Sequence, residues 1–115
     1  MEVVWTKFAR DSLWETIAFI VRQWNSTVAL KVRDSICHDV VLLERLPCLG
    51  RKREIAGLER FEVRRMIVDT RIKVYYMIYE RKIYIMEVWD TRRNPEALED
   101  MLRNCFGEMG DFSAK

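Results

Sequence analysis

The sequence predicts an α+β fold in which a helical hairpin packs against a small antiparallel sheet. Two apolar stripes with helical spacing follow one another in the first half of the chain, and three β-type runs with short breaks between them fill most of the second half. Helices followed by consecutive strands are typical of α+β folds, because a parallel sheet needs a long crossover between its strands.

The first predicted elements are a short strand and an amphipathic helix. Residues 2–5 are short, apolar and rich in β-formers, and Thr6 is a suitable helix N-cap. The apolar residues that follow recur at steps of four and three: Ala9, Leu13, Ile17, Ile20 and Trp24. This spacing predicts a helix over residues 7–24 with one apolar face.

A second helix is predicted over residues 27–46. Asn25, Ser26 and Thr27 interrupt the first stripe with residues that favour turns and caps. The second stripe consists of Ala29, Val32, Ile36, Val40 and Leu43. Pro47 and Gly50 end this helix, and we expect a loop over residues 49–58.

Three strands are predicted next, over residues 61–68, 72–79 and 83–89. Their short connections require antiparallel pairing. Alternation along the middle strand gives one face with Ile72, Val74, Tyr76 and Ile78 and another with Lys73, Tyr75, Met77 and Tyr79. We expect the first set to pack on the helices and the second to line an open face.

A last helix is predicted from Pro95 onward. Asn94 is a good N-cap, proline fits the first helical position, and Glu96 complements the positive end of the helix dipole. Gly107 and Gly110 are expected to end the helix. The order of elements is therefore β-α-α-β-β-β-α, in a single domain over residues 1–106 with a flexible tail over residues 107–115.

The charge of the chain is unevenly distributed. Residues 51–93 contain twelve Lys or Arg against seven Asp or Glu, whereas residues 94–115 contain two against five. A basic segment favours a polyanionic partner, although solvated charges around a small sheet would give the same count.

Several classes of function receive no support from the sequence. Cys37, Cys48 and Cys105 are widely spaced and show no metal-ligand pattern, so we expect reduced thiols, no metal and no cofactor. The chain begins without a basic and apolar leader, and its apolar runs are shorter than the roughly 18 residues of a membrane span. We therefore expect a cytoplasmic protein that does not enter a membrane.

Four stretches resemble the RelE/ParE superfamily of bacterial type II toxins. Trp5 and Thr6 with the first helical stripe are similar to its opening pattern, and residues 46–50 (Leu-Pro-Cys-Leu-Gly) are similar to its helix ending. Arg65 followed by residues 73–76 (Lys-Val-Tyr-Tyr) resembles its central strand pair. Residues 88–95 (Val-Trp-Asp-Thr-Arg-Arg-Asn-Pro) resemble its closing strand and the arginine-rich turn after it.

The resemblance implies a toxin that a cognate antitoxin binds and neutralises. The toxin would form a dimer or a hetero-oligomer with the antitoxin. It also implies one of two targets. ParE-like members inhibit DNA gyrase, whereas RelE-like members cut messenger RNA in the ribosome. A third reading, a toxin-like fold kept as a binding module without toxicity, stays open.

The resemblance also indicates candidate site residues. Lys73 and Arg93 occupy positions where RelE-like members hold the reacting phosphate, so they are the candidate catalytic residues of a ribonuclease. The other candidates would contact the target or the antitoxin, with the tyrosines stacking on bases or packing against the antitoxin or the last helix: Arg64, Arg65, Tyr75, Tyr79 and Arg92.

A proton-transfer group is harder to find. Asp90 stands near a position where many relatives carry histidine, but Arg92 and Arg93 should lower its pKa, so a salt bridge is the favoured role. His38 and Cys37 are adjacent in a helix and point about 100° apart, so they do not form a nucleophile and base pair. The incomplete nuclease set favours gyrase as the target, with the ribosome-dependent ribonuclease as the alternative.

Overall fold

The computed structural model describes residues 1–93 and 95–110. Its elements are β1 (Glu2–Trp5), α1 (Lys7–Gln23), α2 (Ser26–Leu42), β2 (Arg51–Arg53), β3 (Glu62–Val68), β4 (Ile72–Tyr79), β5 (Lys82–Asp90) and α3 (Pro95–Met109). The strands form one sheet in the order β1-β5-β4-β3-β2. β1 pairs with β5 in parallel, and the other neighbours are antiparallel. The predicted α+β fold is confirmed.

Side-chain caps begin both helices of the hairpin. The Thr6 hydroxyl accepts a hydrogen bond from the Ala9 amide at 3.1 Å, and the Asn25 side chain accepts one from the Val28 amide at 2.9 Å. α2 ends at Leu42, four residues before its predicted end. Beyond it, the amides of residues 43–45 bond to carbonyls three positions back, so the chain tightens into a turn before Pro47.

The hairpin packs on one face of the sheet, as predicted. The buried stripe of α2 consists of Ala29, Val32, Ile36 and Val40. Val74 and Tyr76 from β4 lie in the same apolar core and are 0% exposed. Tyr76 also fixes the chain after α2, because its hydroxyl donates to the Pro47 carbonyl at 2.7 Å and accepts from the Gly50 amide at 2.9 Å.

The prediction that one face of the sheet is open is wrong for most of that face. α3 and the loop between β2 and β3 cover it, forming a second apolar core that includes Tyr75, Met77, Leu102 and Cys105. Tyr75 is only 3% exposed and Met77 is 0% exposed. The apolar face of α3 has no other surface of the sheet to cover, since the hairpin occupies the opposite side.

The sheet has five strands rather than the four that were predicted. Arg51–Arg53 lies within the predicted loop but forms β2, an edge strand that pairs with residues 63–65 of β3. All three of its side chains are exposed. A three-residue strand of cations has no apolar alternation, so its sequence carries no strand signal.

The C-terminal region is partly described. α3 continues through Gly107 to Met109 and so enters the predicted tail, while the predicted N-cap Asn94 and residues 111–115 lie outside the described residues. Within residues 1–93 and 95–110, no helix is long and apolar enough to cross a membrane. In the same part of the chain, no group of three or more His, Cys, Asp or Glu is placed to hold a metal ion.

Candidate functional site

Strand register brings several predicted site residues to one face of the sheet. Arg65 of β3 pairs with Tyr75 of β4, and Lys73 of β4 pairs with Trp89 of β5. Residues directly opposite in antiparallel strands project to the same face. Tyr75 and Trp89 belong to the core under α3, so Arg65 and Lys73 lie on the α3 side of the sheet.

The edge strand and the turn after β5 add three cations to this side. Arg51 pairs with Arg65, and Arg53 pairs with Val63, which is buried in the core under α3. The guanidinium of Arg93 lies 4.4 Å from the centre of the Trp89 ring. We call Arg51, Arg53, Arg65, Lys73 and Arg93 the cationic face.

The cationic face carries little compensating negative charge. Arg93 is 3.6 Å from the Glu15 carboxylate, whose side chain is 65% exposed, and an ion pair so open to water is weak. The other four cations form no ion pair within the described residues. Ile67 pairs with Lys73 and is 55% exposed, so an apolar side chain accompanies the cations.

Within the cationic face, Arg65 lies opposite the buried Tyr75. Burial raises the pKa of Tyr75, and the nearby Arg65 guanidinium opposes that rise. The Nε atom of Arg65 is buried and has no hydrogen-bond partner. A buried N–H without a partner is costly to the folded state.

Alternation places Arg64 on the opposite face from Arg65. Arg64 pairs with Tyr76, which faces the helical hairpin. Its guanidinium donates to the Gly50 carbonyl at 2.8 Å and to the Glu62 carboxylate at 2.7 Å. The geometry gives Arg64 a structural position beside the start of β2, away from the other predicted site cations.

Arg92 also points away from the cationic face. Its guanidinium lies 4.5 Å from the Phe19 ring in the C-terminal half of α1 and 5.3 Å from the ring of Trp24, the residue after α1. It donates to Asp90 at 2.9 Å, and its backbone amide does the same. Burial alone would raise the pKa of Asp90, but these hydrogen bonds hold it below its usual value. The predicted salt bridge at this turn is confirmed.

The predicted tyrosines are not arranged as a stacking platform. Tyr75 is 3% exposed, and Tyr79 lies at the other end of β4, where its ring centre is 5.9 Å from that of Phe61. Trp89, which pairs with Lys73, is also 3% exposed. A base would have to displace α3 or Arg93 to contact the rings of Tyr75 and Trp89.

Glu87 is a buried acid that the sequence reasoning missed. It is 0% exposed, pairs with Tyr75, and neither carboxyl oxygen has a hydrogen-bond partner. The nearby Ser12 hydroxyl already donates to the Ala9 carbonyl and accepts from the Val88 amide. Burial raises the pKa of Glu87 to about 7, with Ser12 and Arg93 acting in the opposite direction.

A pKa near neutrality suits an acid or base, but the position of Glu87 does not. A carboxyl group that solvent does not reach cannot exchange a proton with a ligand bound on the surface. His38 lies on α2, on the other side of the sheet, and contacts Asp39 at 3.3 Å. The cationic face is therefore arranged to bind negative charge. The exposed Glu15 carboxylate beside it is paired with Arg93, and the histidine lies elsewhere.

The helical hairpin carries a separate apolar surface. A groove of about 470 Å³ lies between β1, α1 and α2. Trp14 and Val41 line it and are 68% and 58% exposed. Large exposed apolar side chains in one groove are typical of a surface that contacts another protein.

Comparison with known proteins agrees with this fold. The family described as "ParE toxin of type II toxin-antitoxin system, parDE" matches residues 3–95. A chain of the solved structure titled "Chromosomal ParDE TA system from P. aeruginosa" has a TM-score of 0.67 and 21% sequence identity, with 80% of this chain and 97% of that chain covered. No curated protein is significantly similar to the chain in sequence.

Proposed function

Because the chain belongs to the ParE toxin family of type II toxin–antitoxin systems, we propose that it inhibits DNA gyrase and is neutralised by a cognate antitoxin. The observation that carries this proposal is the cationic face, which has no histidine beside it and whose neighbouring exposed carboxylate, Glu15, is paired with Arg93. Such a surface binds a polyanionic or acidic partner, and a carboxylate held beside an arginine is a poor acid for cutting RNA.

The alternative, ribosome-dependent cleavage of messenger RNA, assigns Lys73 and Arg93 as a phosphate clamp. Both flank Trp89, so their positions are compatible with a bound phosphate. The acids nearby do not complete a nuclease. Glu87 is buried, and Asp90 is held by Arg92. Glu15 is exposed but is paired with Arg93. The lack of a suitable acid or base beside Lys73 and Arg93 is the reason for preferring gyrase over the ribosome as the target.

The proposed antitoxin segment is acidic and apolar. Acidic groups would pair with the cationic face, and an apolar residue would cover the exposed side chain of Ile67. Another part of the same antitoxin would fill the groove beside Trp14. Binding to the cationic face should weaken as salt is added, since exposed charges are screened.

Induction of the chain in bacterial cells tests the choice of target. We expect filamentation and DNA damage signalling, with messenger RNA in ribosomes left intact. Co-expression of the adjacent gene should restore growth and yield a stable complex. Primer extension on RNA from induced cells provides the measurement.

The ribonuclease alternative makes the opposite prediction for the same cells. Messenger RNA would be cut at positions matching the ribosomal A site, and Lys73→Ala or Arg93→Ala would reduce cutting on the order of a hundredfold or more. Lys31→Ala is the matched control, because Lys31 is exposed on α2, on the other side of the sheet. Such cleavage, retained in the control and lost in the two variants, would overturn the gyrase proposal.

A further inference from the structure

We propose that the cationic face binds the phosphate backbone of double-stranded DNA, so that the toxin contacts the DNA on which gyrase acts. This inference rests on the proposed function and names a partner for the same surface.

The arrangement of the cations fits an extended polyanion better than a single small anion. The five residues belong to β2, β3, β4 and the turn after β5. Neighbouring strands are about 4.8 Å apart, and alternate residues of one strand are about 6.6 Å apart. The charges therefore spread over more than about 14 Å across the sheet and do not converge on one point, whereas duplex DNA presents a charge every 1.7 Å or so along its axis.

The type of cation and its support also suit phosphate. Four of the five residues are arginines, which bind phosphate oxygens through two parallel hydrogen bonds. Arg51, Arg53 and Arg65 project from paired strands, so their backbone positions are fixed before a ligand binds.

The burial of the aromatic rings distinguishes duplex DNA from single-stranded nucleic acid. Proteins that bind single strands stack unpaired bases on exposed aromatic side chains. Tyr75 and Trp89 are each 3% exposed, so they offer no such platform beside the cations. A face that provides cations without accessible rings is suited to phosphates of stacked, paired strands and to binding that is independent of sequence.

Fluorescence anisotropy of a labelled mixed-sequence duplex tests this inference with the purified full chain. Five phosphate contacts predict that the logarithm of the binding constant falls with the logarithm of salt concentration with a slope of about −4.5. The single-stranded oligonucleotide of the same sequence and polyglutamate are the comparison probes. We expect the duplex to bind more tightly than the single strand.

Variants of two neighbouring residues in β2, Arg51 and Lys52, provide the sharpest comparison. Arg51→Ala should weaken duplex binding for every sequence and reduce the salt slope by about 1. Lys73→Ala should do the same. Lys52→Ala is the matched control, because Lys52 neighbours Arg51 but pairs with Arg64 on the hairpin side. Arg51 and Lys52 are exposed and Lys73 is half-buried, so the first two variants should unfold at the temperature of the unmodified chain, and thermal unfolding is measured for all three.

Three outcomes would overturn the inference. They are no duplex binding at low salt, equal losses in Arg51→Ala and Lys52→Ala, and tighter binding of the single strand than of the duplex. Binding of polyglutamate without binding of the duplex would assign the surface to an acidic polypeptide instead. Gyrase inhibition is measured separately, so inhibition without DNA binding would reject this inference and leave the proposed function intact.

Discussion

We expect the unmodified chain to lose stability as pH rises from about 5 to about 8, and we expect Glu87→Gln to abolish that loss. Glu87 is 0% exposed, and burial raises its pKa from 4.5 to about 7. The folded state therefore holds this proton more tightly than the unfolded state. The resulting stabilisation is complete below the unfolded pKa and is lost as pH rises through the folded pKa.

The size of this effect follows from the shift in pKa. At about 1.36 kcal/mol per unit, the free energy of unfolding should fall by about 3 kcal/mol across the window. Glu87→Gln keeps the volume of the side chain but cannot ionise, so its stability should be nearly independent of pH there. Urea denaturation of both proteins at several pH values measures the difference.

Glu44→Gln is the control for the Glu87 experiment. Glu44 is exposed, so its replacement should leave the pH dependence of the unmodified chain unchanged. If Glu87→Gln unfolds with the same pH dependence as the unmodified chain, Glu87 is not the group that titrates in this window.

Replacing Gly50 with alanine should be among the most destabilising conservative changes in the chain. An added Cβ would lie 2.8 Å from the Arg65 carbonyl oxygen and 2.9 Å from the Tyr76 hydroxyl. The backbone of β3 cannot move away without breaking its pairing with β2 and β4. We expect a loss of about 1 to 3 kcal/mol in the free energy of unfolding.

Gly107→Ala is the matched control and should act in the opposite direction. Gly107 lies in α3, and an added Cβ there meets nothing within 4 Å. Alanine favours the helix over glycine, so the free energy of unfolding should rise by up to about 1 kcal/mol. Urea denaturation of the two variants checks both signs. A Gly50→Ala variant as stable as the unmodified chain would show that β2 is not held against β3 in the way described.

The helices and the central strands could be predicted because each has a strong local signal. Thr6 and Asn25 begin helices through their side chains, and β4 has the same bounds, residues 72–79, in the prediction and in the structure. β2 could not be predicted, because it is held by pairing with β3 and by the contacts of Gly50 rather than by its own composition. Local patterns do not contain such tertiary contacts.

The environment of Glu87 was hidden by a β-bulge. Regular alternation would place residue 87 on the same face as Ile83 and Ile85, toward the hairpin. The register between β4 and β5 shifts at Tyr75 and Tyr76, so that Tyr76 pairs with Ile85 while Tyr75 pairs with Glu87. The extra residue changes the face on which Glu87 lies, and no feature of the sequence predicts the bulge.

The candidate site was predicted in part. Alternation was read correctly along β4, which gave the face of Lys73. The sequence did not separate Arg65 from Arg64; strand pairing puts Arg65 on the face of Lys73, and Arg93 joins them through Trp89. The prediction of an open face was wrong because α3 packs on whichever apolar surface of the sheet the hairpin leaves uncovered. That choice also buries Tyr75, whose proposed exposure depended on an uncovered sheet.

A supercoiling assay with purified gyrase tests most directly the proposal that this ParE-family toxin acts on DNA gyrase. Relaxed plasmid, gyrase and ATP are incubated with increasing amounts of the full chain, with and without the product of the adjacent gene. We expect supercoiling by gyrase to stop as the chain is added and to resume when the antitoxin is present. Undiminished supercoiling at a large excess of the folded chain would contradict it.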